Sequence, residues 1–355
     1  MGKRDTNETW PMDELETVLV ETLRKDQVFE ALSPKRQHKM LLKVMKGSVK
    51  EFSKDLTDRA PKMLARRRKA QAGFEKRNLR RWREAFDLFE TVWVCCEEIG
   101  RNFNQYFRPQ SVQEQDFVFE AMTAVHARSL LVGEEMICLM KGGFPDAAIS
   151  RWRTLHELTV VAVLLSQGDQ DLALRYLAHA DVQALKGLDA EAIAQDEDLR
   201  AIKARADLGL SRFGPELGKT YGWACALIGK KQPNFEDLEK KADKGEARYF
   251  YKFASQHIHS NHRAHDELLG MSESWDTMLL VGPSNSGMVG PLTLGAMSLA
   301  EVTALYINTR PSFDVGIFVA VLMKMAGRMN KLGVRLEKTT LKAARKKRGN
   351  DGKGD

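Results

Sequence analysis

Four charged or polar side chains are concentrated in one segment that the sequence predicts to be a largely buried helix. Arg151, Arg153, His156 and Glu157 lie within Ala147–Leu165, directly before an almost unbroken apolar run. Arg153 and Glu157 are four residues apart, so they are neighbours on a helix and can form an ion pair. A charged pair that enters a buried helix is costly unless it is compensated. The cluster is therefore either a structural ion pair that ties helices together or part of a functional site.

A second helix, predicted over Tyr249–His265, carries another polar face. Tyr251, Ser255 and His259 are spaced four residues apart and so share one side of the helix, which His262 extends. Four of the eight histidines of the protein fall within nine residues of this segment. Histidine is suited to general acid–base chemistry near neutral pH. We predict that His259 performs such chemistry, oriented by Ser255 or Tyr251.

Metal binding is a weaker alternative for the same histidines. His259 and His262 are three residues apart and could share a metal ion with Glu157 or Glu135, which would give a metal-dependent hydrolase. His257 and His259 are only two residues apart and face different sides of a helix. We predict neither a bound metal nor a cofactor.

The elements that must position these residues are almost all helices, since no segment shows convincing strand alternation. The fold class is therefore predicted to be all-α, a helical bundle with an N-terminal helical arm and a basic, disordered C-terminal tail. We place the arm at residues 1–110, the main bundle at 111–335 and the tail at 336–355. The predicted helices are Asp13–Leu32, Lys39–Leu56, Arg59–Arg83, Arg83–Phe107, Gln115–Lys141, Asp146–Ser166, Asp169–Leu188, Ala247–Leu269, Leu292–Thr309 and Ser312–Leu332.

Positive charge is concentrated in two places. The segment Arg59–Arg83 contains eleven lysines and arginines and one acid. Residues 336–355 contain seven lysines and arginines and three acids. The interpretation as a nucleic-acid-binding helix assigns phosphate contacts to Arg66, Arg67, Arg68, Lys69, Lys76, Arg77, Arg80 and Arg81. A solvated helix or a partner-docking arm would explain the same charge run.

Composition excludes several classes of protein. The four cysteines have no spacing typical of a disulfide scaffold, a C-x-x-C redox motif or a zinc module. The first residues lack the apolar core of a signal peptide, and the longest apolar runs are about half the length that spans a bilayer. We expect a cytoplasmic protein with no membrane partner.

The spacing on the two polar helices resembles a bacterial family catalogued as domain of unknown function 5677. The resemblance rests on Arg153-x-x-x-Glu157 after a glycine-containing turn, and on Tyr251-x-x-x-Ser255-x-x-x-His259 about a hundred residues later. It spans roughly residues 114–332 and implies a fold rather than an activity.

A broader resemblance concerns the HEPN helical ribonucleases, many of which are toxins or defence effectors. Their signature is R-x(4–6)-H on a bundle helix, and Arg151-Trp-Arg-Thr-Leu-His156 fits it. In that group the Arg and His of two protomers form a composite, metal-independent site. The resemblance implies that His156 is the general acid or base and that Arg151 steadies the scissile phosphate. Trp152 departs from the small polar residue that usually follows the arginine.

These observations favour an HEPN-like, metal-independent ribonuclease, a toxin or antiviral-defence effector, as the function. The alternative is a non-enzymatic helical module that binds nucleic acid or a protein partner. We expect RNA or another nucleic acid, or a protein, as the partner, and a homo-oligomer as the assembly.

Overall fold

The computed structural model describes residue 29 and residues 31–258, 268–273 and 279–351, with side chains described as far as residue 343. All of its elements are helices, and the described residues contain no strand, which confirms the predicted all-α class. The chain divides into two compact units, Met1–Ala72 and Gly73–Asp355. The α-helices are α1 (Pro34–Glu114), α2 (Phe117–Gly142), α3 (Pro145–Gln167), α4 (Gln170–Ala184), α5 (Ala190–Gln195), α6 (Glu197–Phe213), α7 (Cys225–Ile228), α8 (Phe235–Lys241), α9 (Arg248–Gln256), α10 (Val289–Ile307), α11 (Phe313–Gly327) and α12 (Met329–Asp351).

Helix α1 is longer than the sequence predicts. It is one helix of 81 residues, where we expected three helices and a boundary near Pro109. Strong helix formers such as Lys, Arg, Glu, Leu and Ala run through most of it, so the helix continues past both internal prolines. It ends at Glu114, and the next residue, Gln115, has a positive φ of 53°.

The C-terminal half of α1 belongs to the core of the second unit. Trp82, Phe86 and Phe89 lie in the largest hydrophobic cluster together with side chains from α2, α3 and α10. The division between the compact units falls at residue 72, ten residues before Trp82, the first buried aromatic residue of α1.

Helices α2 and α3 form the hairpin that carries the first polar segment. Gly143 joins them with φ of 87°, and its amide nitrogen caps the carbonyls at the end of α2. Pro145 then occupies the first turn of α3, where its missing N–H costs nothing. Asn78 of α1 donates from Nδ2 to the carbonyls of Met140 and Lys141, at 2.9 Å each. The predicted glycine turn and both helices are confirmed.

Helix α10 is apolar enough to be compared with a membrane span. It has 19 residues and a mean hydropathy of 1.2 over an 18-residue window, longer than the apolar runs we recognised in the sequence. By length and composition alone it could cross a bilayer. However, 67% of that window is buried inside the protein, as in the core helix of a soluble protein.

The predicted disorder of residues 336–355 is not supported. Helix α12 continues to Asp351, with the side chains of its last eight residues left undescribed. Leu336 packs against the main core, and the hydroxyl of Thr340 donates to the carbonyl of Leu336 at 2.9 Å. Packing at the start of this segment and the helix propensity of Lys, Arg and Ala favour a helix here.

Candidate active site

Helices α3 and α9 bring together three side chains that lie about a hundred residues apart in sequence. Arg153 donates from Nη2 to the hydroxyl of Tyr251 at 2.8 Å, and that hydroxyl donates to Oε1 of Glu157 at 2.6 Å. Nη2 of Arg153 also lies 3.2 Å from the same carboxylate oxygen. The guanidinium stacks over the ring of Tyr251 at 4.8 Å from its centroid. The two polar helices singled out in the sequence therefore meet at these three residues, which we call the RYE cluster.

The protonation states within the RYE cluster follow from these contacts. Burial raises the pKa of Tyr251, and the adjacent Glu157 carboxylate raises it further, so the phenol stays protonated at neutral pH. Burial works against the charge of Arg153, but its bonds to Tyr251 and Glu157 outweigh that effect and raise its pKa. The cluster therefore combines a permanent cation, a neutral hydroxyl donor and a carboxylate.

The RYE cluster is open to solvent on one side. The side chains of Arg153 and Glu157 are 28% and 33% exposed, whereas Tyr251 is only 7% exposed. A small or extended polar ligand could therefore reach the cation and the carboxylate, while the buried tyrosine keeps both side chains in place by its hydrogen bonds.

The other residues predicted on α9 contribute less to this geometry. Ser255 donates to the carbonyl of Tyr251 at 2.8 Å, a bond within the helix itself. The helix ends at Gln256, earlier than predicted, and His259 and His262 lie outside the described residues. The side chain of His257 is 6% exposed, with Nε2 3.9 Å from Oδ1 of Asp146 of α3.

His156 lies in a second network, whose centre is buried. Its Nε2 is 2.9 Å from Oε1 of Glu239 on α8, and both side chains are at most 3% exposed. The other oxygen of Glu239 receives Nη1 of Arg248 at 2.5 Å, and Nη2 of Arg248 reaches Glu236 at 3.1 Å. The ring of Tyr251 separates this network from the RYE cluster, with its centroid 5.8 Å from that of His156.

Burial lowers the pKa of His156, although Glu239 acts in the opposite direction. A neutral imidazole beside a carboxylate must donate from the nitrogen that faces it, so Nε2 carries the proton. His156 is thus a buried hydrogen-bond donor rather than an accessible acid or base.

Arg151 points away from His156. It is paired with Glu135 on α2, with Nε 2.5 Å from the carboxylate. Residues five apart are separated by about 140° around a helix, so the two side chains leave α3 on different sides. The structure therefore places the two residues of the R-x-x-x-x-H pattern in different networks of one protomer.

Glu239 and Arg248 were not singled out in the sequence. Phe235, Leu238 and Glu239 share one face of α8, and all three are buried. An acid on the apolar face of a short helix is unusual and could have marked Glu239. The partner that compensates it, Arg248, lies on the next helix and could not be identified from spacing.

The basic residues of α1 are mostly exposed. One exception is Arg81, which is 10% exposed and pairs with Glu273 at 2.5 Å while donating to the carbonyl of Asn285 at 2.8 Å. The guanidinium of Arg81 thus stabilises the fold through contacts within the protein. Nucleic-acid contact stays a prediction for the exposed cations, Arg66, Arg67, Arg68, Lys69, Lys76, Arg77 and Arg80.

The described residues contain no group of three or more His, Cys, Asp or Glu side chains that could hold a metal ion. His259, one of the histidines of the metal alternative, is not among them.

Comparison with known proteins gives one family match. Residues 119–276 match a family of unknown function, DUF5677. That range contains both polar helices, α3 and α9, and supports the predicted resemblance over part of the predicted 114–332. Searches of curated proteins and of solved structures each found no match. The resemblance to HEPN ribonucleases stays a prediction.

Proposed function

We propose that the protein is a metal-independent ribonuclease whose active site is the RYE cluster. The observation that carries this proposal is the convergence of Arg153, Glu157 and Tyr251 in a half-open site. Metal-free cleavage of a phosphodiester needs a proton acceptor and a cation, which Glu157 and Arg153 can provide, and a proton donor for the leaving oxygen. The proposal does not use Arg151 and His156 as a pair, because they lie in separate networks.

Each residue has a role in this mechanism. The Glu157 carboxylate accepts the proton of the ribose 2′-hydroxyl, and the 2′-oxygen attacks phosphorus as the bond to the 5′-oxygen breaks. Arg153 donates to the phosphate oxygens, where negative charge builds up in the transition state. Tyr251 fixes both side chains by accepting from one and donating to the other. The products are a 2′,3′-cyclic phosphate and a 5′-hydroxyl.

The leaving 5′-oxygen must take up a proton. We assign that step to His259, because a histidine can donate a proton near neutral pH. The exposed cations of α1 are assigned to sequence-independent contacts with the RNA backbone. This role fits a cytoplasmic toxin or antiviral-defence effector.

The test is cleavage of a labelled single-stranded RNA by the purified full chain, with and without EDTA. We expect cleavage that is unchanged by the chelator, 2′,3′-cyclic phosphate ends, and no cleavage of the same sequence made as DNA, which lacks the attacking 2′-hydroxyl. Cleavage abolished by EDTA would contradict the metal-free mechanism, and cleavage of DNA would exclude attack by the 2′-oxygen. No cleavage by the folded protein would overturn the proposal.

A non-enzymatic helical module is the second candidate, and one observation favours it. In the His156–Glu239–Arg248 network, Glu239 is paired with a donor from α3 and with another from α9, so the network links α3, α8 and α9. Such a network is expected where polar residues serve only to fix helix packing. If the RYE cluster extends that packing network, substitutions in it lower stability and change no activity. The module would then bind nucleic acid or a protein through other surfaces.

A further inference from the structure

Helix α11 carries more apolar surface than the fold covers. Only Leu322 and Ala326 of its 15 residues are buried, although its sequence is almost entirely apolar. A helix that is apolar all round is normally buried, so the outer side of α11 is expected to be covered by a partner. The large side chains on this outer side are 84%, 49%, 48% and 48% exposed. We call this outer side the α11 face, and its apolar members are Phe313, Ile317, Phe318, Ala320 and Val321.

Charge on α11 is confined to one residue near each end. Asp314 and Lys324 are the only charged residues between positions 313 and 327, and both are exposed. Just before the helix, Arg310 is paired with two acids of its own chain. Just after it, Arg328 and Lys331 are exposed. The N-terminal end of the α11 face is therefore acidic, and its C-terminal end is basic.

We propose that the α11 face pairs with the α11 face of a second copy of this chain, with the two helices antiparallel. In a parallel pair, Asp314 would lie beside Asp314 of the second copy, and Lys324 beside Lys324. The antiparallel pair places Lys324 of each copy beside Asp314 of the other. An anionic lipid surface would instead repel Asp314. The charge pattern therefore fits a second copy of the same helix.

The antiparallel alignment also sets large side chains against small ones. Phe313, Ile317, Ala320 and Lys324 are four, three and four residues apart, so they form one stripe along the helix. When Ile317 lies level with Ala320 of the second copy, Phe313 lies level with Lys324. The alkyl stem of that lysine then covers the ring of Phe313, while its ammonium group reaches Asp314. A parallel pair would instead set Ile317 against Ile317.

The size of the α11 face suits a specific dimer. Its exposed apolar side chains and the lysine stem offer on the order of 500 Å² per copy, so pairing removes on the order of 1,000 Å² from water, the size from which an interface is specific. Each copy contributes the same surface, so the pair closes on itself by two-fold symmetry and leaves no free α11 face. The expected assembly is therefore a dimer.

Sedimentation velocity on the full chain over a concentration series tests the pairing. We expect the wild type to have twice the mass of the 40.1 kDa chain. The variant Ile317→Glu/Val321→Glu should be a monomer that is folded by circular dichroism, because pairing would bury four carboxylates. The matched control Leu131→Glu/Leu208→Glu adds the same charge at side chains of α2 and α6 that are 50% and 72% exposed, and it should stay a dimer.

A monomeric wild type, or a dimer that persists in Ile317→Glu/Val321→Glu, would overturn the proposal. Binding of a monomeric wild type to phosphatidylserine vesicles, lost in the same variant, would also overturn it and would assign the α11 face to a lipid surface.

Charge reversal tests the orientation. Asp314→Lys should raise the dissociation constant of the dimer about tenfold or more, because two ion pairs per dimer become repulsive contacts. The double variant Asp314→Lys/Lys324→Asp should return the constant to within a few-fold of the wild-type value. A parallel pair holds like charges together in all three proteins. An unchanged constant in Asp314→Lys, or no recovery in the double variant, would therefore contradict the antiparallel pair.

Discussion

Replacing Glu157 with glutamine is expected to lower the rate constant of RNA cleavage by about 10²–10⁴-fold, the usual contribution of a general base. Glutamine keeps the shape of the side chain and can still accept from Tyr251 and Arg153, so the site remains assembled. It cannot take up the proton of the 2′-hydroxyl. The measurement is the single-turnover cleavage rate, with circular dichroism to show that the fold is unchanged.

Glu135→Gln is the matched control for this prediction. Glu135 is also paired with an arginine of α3, Arg151, and its side chain is 37% exposed, close to the 33% of Glu157. The Glu135→Gln variant should cleave RNA at a rate within a few-fold of the wild-type rate. Equal losses in both variants would show that any change of charge near α3 impairs cleavage, and no loss in Glu157→Gln would remove this residue from the mechanism.

Replacing Glu239 with alanine is expected to lower the free energy of unfolding by about 3–5 kcal/mol, the typical cost of removing one member of a buried ion pair. Glu239 is fully buried and accepts from both His156 and Arg248. Without it, the guanidinium of Arg248 loses a close charge partner and the imidazole of His156 loses its acceptor. Urea denaturation followed by circular dichroism measures the change.

Glu236→Ala provides the comparison, since Glu236 binds the same Arg248 but has a side chain that is 43% exposed. Water can replace that partner, so we expect little change in stability. If the two variants are equally stable, the buried network does not hold α3, α8 and α9 together. The account of His156 as a structural donor would then fail.

Much of the fold could be predicted from hydrophobic periodicity and turn chemistry. The glycine turn before α3, the helices α2 and α3, and the last apolar helices all follow from such local signals. The joining of the N-terminal segments into one helix, α1, was missed, because the internal prolines are typical helix boundaries. The end of α9 at Gln256 was also missed, since the apolar and polar pattern continues beyond it.

The candidate site was only partly predictable. Arg153 and Glu157 share a helix face, and Tyr251 stood out by its spacing on a second polar helix, so their meeting could be predicted. The separation of Arg151 from His156 could not, because it depends on Glu135 and Glu239, which belong to other helices. A short pattern on one helix does not reveal which tertiary partner takes each side chain.

The most direct test of the account is the ratio of single-turnover RNA-cleavage rates between Arg151→Ala and Arg153→Ala. Both variants remove one partly exposed arginine of the same helix, and each arginine is paired with one glutamate. If the RYE cluster is the active site, the cleavage rate of Arg153→Ala is about 10²–10³-fold below that of the wild type, the usual effect of removing one transition-state donor. The Arg151→Ala variant then cleaves RNA almost as fast as the wild type. Loss confined to Arg151→Ala would contradict this assignment and return the site to the Arg151 and His156 pair.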